Sequence, residues 1–570
     1  MPEPLTRTTQ NAEPVLKYER WLVSAILVLY ATMLAWGDYC HSPIADEPAY
    51  LASGISHWQH GHFELCKVSP PLVRLVAAVP VVLSGAKLDV DGIPVYSMAR
   101  LEHQAGRELL RTYGKDSFWL FTLGRWACIP FALLGAWICY RWAKQLFGSY
   151  AGLAGLVLWC VSPSVLAHAQ MLNADIGVTS LSLATCYLFW QWSKRLDVTL
   201  AIAAGAVLGL AVLAKTNAVV LPPIVCLASI SYRYFRGDVQ LVKQCIQLSC
   251  AFAVALYVIN TGYGFAGSFK PLKDFHFVSR AFTGQSAEPG KYAYYGSILD
   301  HVPLPLPAAF VEGIDLQKRD FENATGNFRT YLRGKWYDHS WWWYYLYVCA
   351  VKVPVGTWLL IALGGYLLLW GKVPNQVDVL CFVVLPSMAM FCLASTQTGF
   401  GAGVRYVLPA FPFAFLLASA SFYRRVSQRL RAFAVVALIF GPIASLYTFP
   451  HSLCYFNLLA GGPKHGHFHL IDSNMEWGQN LLYVKDWVER NKDEEPIYVA
   501  HWSFYPIDHL EMDFTQPKVN PTGPIPPGTY LISTNFLRGN PHMNRMELRR
   551  FLELIPDERI AYTTYVYRIP

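Results

Sequence analysis

Residues 20–50 read RWLVSAILVLYATMLAWGDYCHSPIADEPAY. Between Arg20 and Asp38 there is no charged residue, and the run 20–37 comes close to the roughly 20 apolar residues that a membrane-crossing helix needs. It offers no small-residue cleavage site and leads directly into the acidic pair Asp46-Glu47, so it reads as a retained span and not as a removable signal. Working outward, similar segments lie near 118–141, 150–168, 174–192, 198–214, 217–233, 243–260, 345–370, 378–396, 404–422 and 432–450, giving eleven spans. The fifth and sixth are short enough to form a re-entrant pair. The chain is 54% hydrophobic and 15% charged. Soluble domains carry roughly 25% charged residues, so a disordered protein, a collagen-like fibre and a single soluble domain are excluded. The expected fold class is an α-helical polytopic membrane protein of about 11 transmembrane helices with a small extracytoplasmic α/β C-terminal domain.

The charges give the sidedness. Arg7, Lys17 and Arg20 precede the first span, and every second loop after it is basic: Arg141/Lys144, Lys194/Arg195, Arg233/Arg236/Lys243, Lys372 and Arg424/Arg425/Arg429/Arg431. Cytoplasmic loops carry the Lys/Arg excess, so the N-terminus is expected in the cytoplasm and, after eleven crossings, the C-terminal part outside. From residue 451 onward there are 11 basic and 14 acidic residues, against a whole-chain net charge of +8. The expected organisation is a cytoplasmic segment 1–19, a transmembrane domain 20–450 with external loops 38–117 and 261–344, and an extracytoplasmic domain 451–570. In the first loop, Pro70-Pro71 precedes apolar Leu72–Leu83, too short to span and read as an interfacial helix, and a second amphipathic stretch follows around Val95–Arg111. The second loop ends in Trp341-Trp342-Trp343-Tyr344-Tyr345, which marks the outer headgroup level.

Most of the thirteen cysteines sit inside spans as small apolar residues. Cys40 and Cys66 form a single external candidate pair, which implies no disulfide framework. His465, His467 and His469 alternate as metal ligands do, but read as a solvated loop, and no metal site is expected. The chemistry-bearing groups gather at the external ends of the spans. Asp46-Glu47 follows the first span, where two carboxylates can supply a general base and an orienting partner. Asp175 opens the fourth span, as an N-terminal carboxylate should. Lys215, Arg405 and Lys352 break the rule that basic residues stay inside. Cations at membrane depth point to function, and a lipid phosphate would satisfy all three. There is no Walker-type loop, no GxSxG and no HExxH. An anionic base beside a cationic cradle fits a reaction at a lipid phosphate.

At these residues the sequence resembles the family 39 glycosyltransferases, GT-C membrane enzymes that include protein O-mannosyltransferases and the aminoarabinose transferases that modify lipid A. The resemblance is carried by Asp46-Glu47-x-x-Tyr50, Pro70-Pro71-Leu72, Asn173-Ala174-Asp175, Leu213-Ala214-Lys215-Thr216-Asn217 and Arg405-Tyr406-Val407-Leu408-Pro409. Trp342–Tyr345, Lys352-Val353-Pro354, Tyr455-Phe456-Asn457, Ala460–Pro463 and Asp472–Gln479 are similar to a bacterial subgroup. The sequence departs at Ser69, where relatives often carry His or Lys, and at Lys335, where an acidic residue is expected.

The resemblance implies a membrane glycosyltransferase in a bacterial-type inner membrane, moving a sugar from a polyprenyl-phosphate-linked donor to an extracytoplasmic lipid, glycan or protein acceptor. Asp46 would be the general base, with Glu47 and Asp175 orienting substrate. Lys215 and Arg405 would stabilise the leaving phosphate, with Lys352 as a third contributor, and a single displacement would invert the anomeric carbon. No cofactor is required, although a divalent cation at Asp46 and Asp175 is left open because some GT-C enzymes use one. Membrane lipids are expected partners and nucleic acid is not. A multispanning lipid or sugar transporter or flippase is the rival from another class, but such proteins tend to carry internal repeats and none is visible. A glycan ligase or polymerase would use a similar site.

In the tail, Leu481–Arg490 has helical periodicity, while Ile497–Ala500, Tyr530–Ser533 and Tyr562–Ile569 read as strands around the Pro-rich region 517–527. Asp472 and Glu476, four apart, would share a helix face near the site or form a surface turn.

Overall fold

The computed structural model describes residues 17–90, 100–284, 291–322, 329–401 and 403–570. The expected segment 1–19 therefore lies mostly outside the described residues, as do residues 95–99 of the second amphipathic stretch. The rest of that stretch is the helix Glu102–Tyr113.

All eleven apolar segments are helical at their expected positions, but they are not eleven equal spans. Six helices among the described residues are long and apolar enough to cross a membrane, and eight if two bent pairs each count as one. The bends fall between Cys160 and Pro163 and between Lys352 and Val355, at 57° and 115°. Proline explains both: Pro163 and Pro354 remove a donor and disfavour helix in the preceding residue. The remaining three are the fourth segment, Ala174–Arg195, which is 22 residues long but carries Asp175 and several buried Ser and Thr, and the shorter Val198–Ala214 and Leu408–Phe422.

The ion pairs at the helix ends show which ends share a face. Glu19 bonds Lys144 and Tyr140, and Asp378 bonds Trp190, Lys194 and Arg236. At the opposite ends, Asp175 meets Lys215 and Asp46 meets Arg405. Helix Val198–Ala214 thus runs antiparallel to Ala174–Arg195 along its length, about 25 Å at 1.5 Å per residue. Leu221–Arg236 then returns to Asp378. The fifth and sixth segments therefore run as two antiparallel helices, of which Thr216–Arg236 is long enough to cross a membrane and Val198–Ala214 is shorter. Glycine lets the fifth pack closely: a Cβ at Gly205 would stand 2.1 Å from the Ala251 carbonyl oxygen, and one at Gly209 2.8 Å from that of Ala255. This Gly-x-x-x-Gly spacing brings two helix backbones together in a membrane.

The helix Leu72–Leu83 has the expected bounds and packs on Glu47–His60 and on the long helix Ser117–Phe147. The tail folds around a four-stranded sheet of order β3-β4-β6-β5, with β3 Ile497–Ala500, β4 Gly528–Ser533, β5 Glu558–Ile560 and β6 Thr564–Ile569. β3 is parallel to β4 and the other pairs are antiparallel. A two-stranded hairpin, β1 Thr330–Leu332 and β2 Lys335–Tyr337, precedes the aromatic run. Helix Leu481–Arg490 covers one face of the sheet through Val484, Trp487 and Val488.

All thirteen cysteines are free thiols, so Cys40 and Cys66 are not bridged.

Candidate active site

A cavity of about 590 Å³ opens where the helix ends, the long loop after the first helix, the hairpin and the tail domain meet. Asp46, Asp175, Lys215 and Arg405 all line it, although 359 residues separate the outermost two. Asp46 immediately precedes the helix Glu47–His60, and its Oδ2 accepts from Arg405 Nη1 at 3.2 Å. Asp175 stands in the first turn of its helix, capped by Asn173, and its Oδ1 accepts from Lys215 Nζ at 2.5 Å. His168 Nδ1 is 3.8 Å from the other Asp175 oxygen. The two pairs are joined by aromatic faces. Lys215 Nζ sits 4.9 Å from the Tyr406 ring centre, and the Arg405 guanidinium 4.3 Å from that of Trp477. A cation over an aromatic face keeps part of the attraction it loses on leaving water.

Two residues singled out in the sequence face elsewhere. Glu47 is fully buried and lies outside the cavity lining. Its Oε1 accepts from Arg125 Nε at 2.8 Å and from the Leu172 amide at 2.5 Å. Its Oε2 accepts from Arg125 Nη2 at 2.5 Å and from the Ile44 amide at 2.8 Å. Arg125 in turn donates to the carbonyls of Asp38, His41 and Ser42. The pair ties the loop that carries Asp46 to the helices around it. Lys352 is likewise buried away from the cavity, with Nζ donating to the carbonyls of Leu453 at 2.8 Å and Asn474 at 2.7 Å.

Of the tail-domain pair singled out in the sequence, only one carboxylate reaches the cavity. Asp472 lines the cavity from a single 3-10 turn, Asp472–Asn474, where its φ is +57°, a left-handed conformation that Asp tolerates better than most residues. Burial pushes its carboxyl up to about 6. Arg405 opposes that rise, and the Asp46 charge adds to it. Glu476 does not share a face with it. Its Oε2 is taken by Thr534 and by the backbone and side-chain amides of Asn535, under the sheet, and burial pushes its carboxyl up to about 7. The four-residue spacing misleads because the chain between them is a short 3-10 turn and not an α-helix.

Ser69 lines the cavity and bonds the Tyr50 hydroxyl at 2.7 Å, so the position before Pro70 reaches the site with a hydroxyl. Lys335 points outward from β2 while its neighbour Trp336 lines the cavity. The three alternating histidines part company. His467 is buried against Arg538, His469 pairs with the Tyr347 hydroxyl, and His465 stays exposed on the Gly461 carbonyl. Burial and the Arg538 charge push His467 down to about 3. Among the described residues no group of three His, Cys, Asp or Glu is placed to hold a metal ion. Beside the polar cavity runs an apolar one of about 220 Å³, lined by Leu221, Leu393 and Ala394 among others and sharing Lys215, Gln317, Phe321 and Tyr406 with it.

Residues 120–261 match the family model described as dolichyl-phosphate-mannose-protein mannosyltransferase. The matched segment contains Asp175 and Lys215, two of the four groups gathered at the cavity. Over that segment the chain is similar to this family of sugar transferases. In a sequence comparison no curated protein matches it. Among solved structures, it aligns with ArnT from Cupriavidus metallidurans in the apo state at 13% identity and a TM-score of 0.47. The alignment covers 96% of this chain and 97% of that one. The same enzyme bound to undecaprenyl phosphate aligns at 12% identity and a TM-score of 0.49 with the same coverage. The Archaeoglobus fulgidus oligosaccharyltransferase tethered with an acceptor peptide containing the NVT sequon aligns at 12% identity and a TM-score of 0.41, over 88% of this chain and 61% of that one.

Proposed function

We propose that this chain is a GT-C-like membrane glycosyltransferase, which moves a sugar from a polyprenyl-phosphate donor to an acceptor hydroxyl outside the cytoplasm, with inversion at the anomeric carbon. The observation that carries the reading is the shared wall of the two cavities. Lys215 and Tyr406 line both the polar chamber holding Asp46, Asp175 and Arg405 and the apolar groove beside it. A lipid tail in the groove would bring its phosphate to Lys215 and Arg405 and leave the sugar in the chamber.

In this reading Asp46 accepts the acceptor's hydroxyl proton as its oxygen attacks C1. The C1–O bond to phosphate breaks with its electron pair passing to the phosphate, which Arg405 and Lys215 stabilise. A phosphate is already a weak base and leaves without a general acid. Asp175 holds Lys215 in place through its ion pair. Glu47, bound to Arg125, sets the loop that presents Asp46. The N-terminus would be cytoplasmic, so the cavity and the tail domain would face outward, in keeping with the basic loops on the opposite side.

The test is a transfer assay with the full chain in nanodiscs, radiolabelled polyprenyl-phosphate sugars and membrane extract. Label should pass from the lipid to a product. Movement of the intact lipid across a bilayer with no product from any donor would replace the reading with the transporter one.

A further inference from the structure

Lys352 and Asn474 take no part in the transfer step as described, and neither lines the cavity. Lys352 is 2% exposed, with its Nζ on two carbonyls and 4.4 Å from the centre of the Phe456 ring. One of those carbonyls belongs to Asn474, itself 3% exposed. The Asn474 side-chain oxygen accepts the Val404 amide at 3.1 Å, and its nitrogen reaches the Ile471 carbonyl at 3.4 Å. Gly403 has φ +80°, and a Cβ there would fall 2.7 Å from the same Asn474 oxygen. The main chain at 403–404 therefore lies directly against the Asn474 amide, which only glycine allows. The next residue is Arg405, whose guanidinium reaches Asp46 and the Trp477 ring. Asn474 lies two residues after Asp472, so one turn of the tail domain both fills the cavity wall and grips the 3-10 turn that carries the arginine.

We propose that Asn474 is a positioning residue: its amide oxygen fixes Val404 and so sets the Arg405 guanidinium where the donor's phosphate arrives, with buried Lys352 holding the Asn474 main chain. This rests on the reading of Arg405 as the phosphate contact. Lys352 then serves the site from outside it, through a carbonyl, and does not touch the phosphate. The tail domain becomes a condition for donor use and not only a cover.

A double-mutant cycle tests this on the full chain, with donor KM and kcat measured for wild type, Asn474→Ala, Arg405→Ala and the double variant. Loss of an ordinary hydrogen bond corresponds to about tenfold, so Asn474→Ala should lower kcat/KM for the donor by about that factor, and Arg405→Ala by about 10²-fold. If Asn474 acts through Arg405, the double variant is no worse than Arg405→Ala alone. Asn474→Asp keeps an accepting oxygen for the Val404 amide and should stay within about threefold of wild type. Multiplying losses in the double variant, or Asn474→Asp impaired as much as Asn474→Ala, overturns the proposal while leaving the phosphate reading intact. Wild-type donor use by Arg405→Ala overturns both. Should Asn474→Ala not fold, Lys352→Met goes through the same cycle, and multiplying losses there overturn the proposal equally.

Discussion

Replacing Glu47 by Gln separates a structural carboxylate from a chemical one. Each Glu47 oxygen accepts two hydrogen bonds, one from Arg125 and one from a backbone amide, at 2.5–2.8 Å. Both side chains are essentially inaccessible, at 0% and 1%. Glutamine keeps the shape but turns one oxygen into an NH₂ group that faces two donors, and it leaves the buried Arg125 charge without the carboxylate it is hydrogen-bonded to. Breaking a buried pair from one side costs about 3–5 kcal/mol. Arg125→Met should be at least as damaging, because it also strands the carbonyls of Asp38, His41 and Ser42. Thermal unfolding of the purified variants, followed with and without donor, reads the effect. Glu47→Gln should unfold several degrees earlier, and the fraction still folded should bind donor with a normal KM. An unchanged melting temperature together with lost turnover would refute the reasoning and move Glu47 into the reacting site.

Three further outcomes are expected. Lys215→Ala and Arg405→Ala should weaken donor use without unfolding the protein, and Arg405→Lys should also be impaired, since an ammonium cannot reproduce a guanidinium fork; donor-dependence curves will show this. Asp472, pushed up to about 6, binds its proton more tightly folded than unfolded, so it contributes stability below about pH 4 that is lost as pH rises through about 6. Asp472→Asn should therefore melt higher than wild type at pH 7.5 and show less pH dependence between pH 4 and 6, whereas parallel melting profiles would contradict the raised carboxyl. A Trp at Ala394, on the wall of the apolar groove, should raise KM for long-chain donors more than for short-chain ones; an equal change for both would remove the groove from lipid binding.

Much of this was legible because long apolar runs declare the helices of such a chain. The apolar runs and the alternating basic loops place Asp46, Asp175, Lys215 and Arg405 at the same face, and the cavity collects all four. Direction was harder to read than position. Glu47 adjoins Asp46, but neighbouring residues entering a helix point to different sides, and its partner Arg125 is 78 residues away within the apolar first half of another helix. Lys352 is a cation at membrane depth, as the sequence indicates, yet its ligands are carbonyls set by the tail fold. Asp472 enters the site through a left-handed residue in a 3-10 turn, for which a four-residue spacing gives no signal. In the tail, helix Leu481–Arg490 and three strands sit where periodicity places them, while β5 is three residues long, two of them charged, and carries no apolar alternation.

The most direct measurement is turnover of Asp46→Asn in the transfer assay, beside wild type and at matched folded protein. Asparagine keeps the shape and can still accept from Arg405, but it takes up no proton, and general-base contributions are typically about 10²–10⁴-fold. A loss of that size with an intact fold and near-normal donor binding is expected. Wild-type-like turnover in Asp46→Asn would contradict the mechanism and return the loop after the first helix to a binding or structural role.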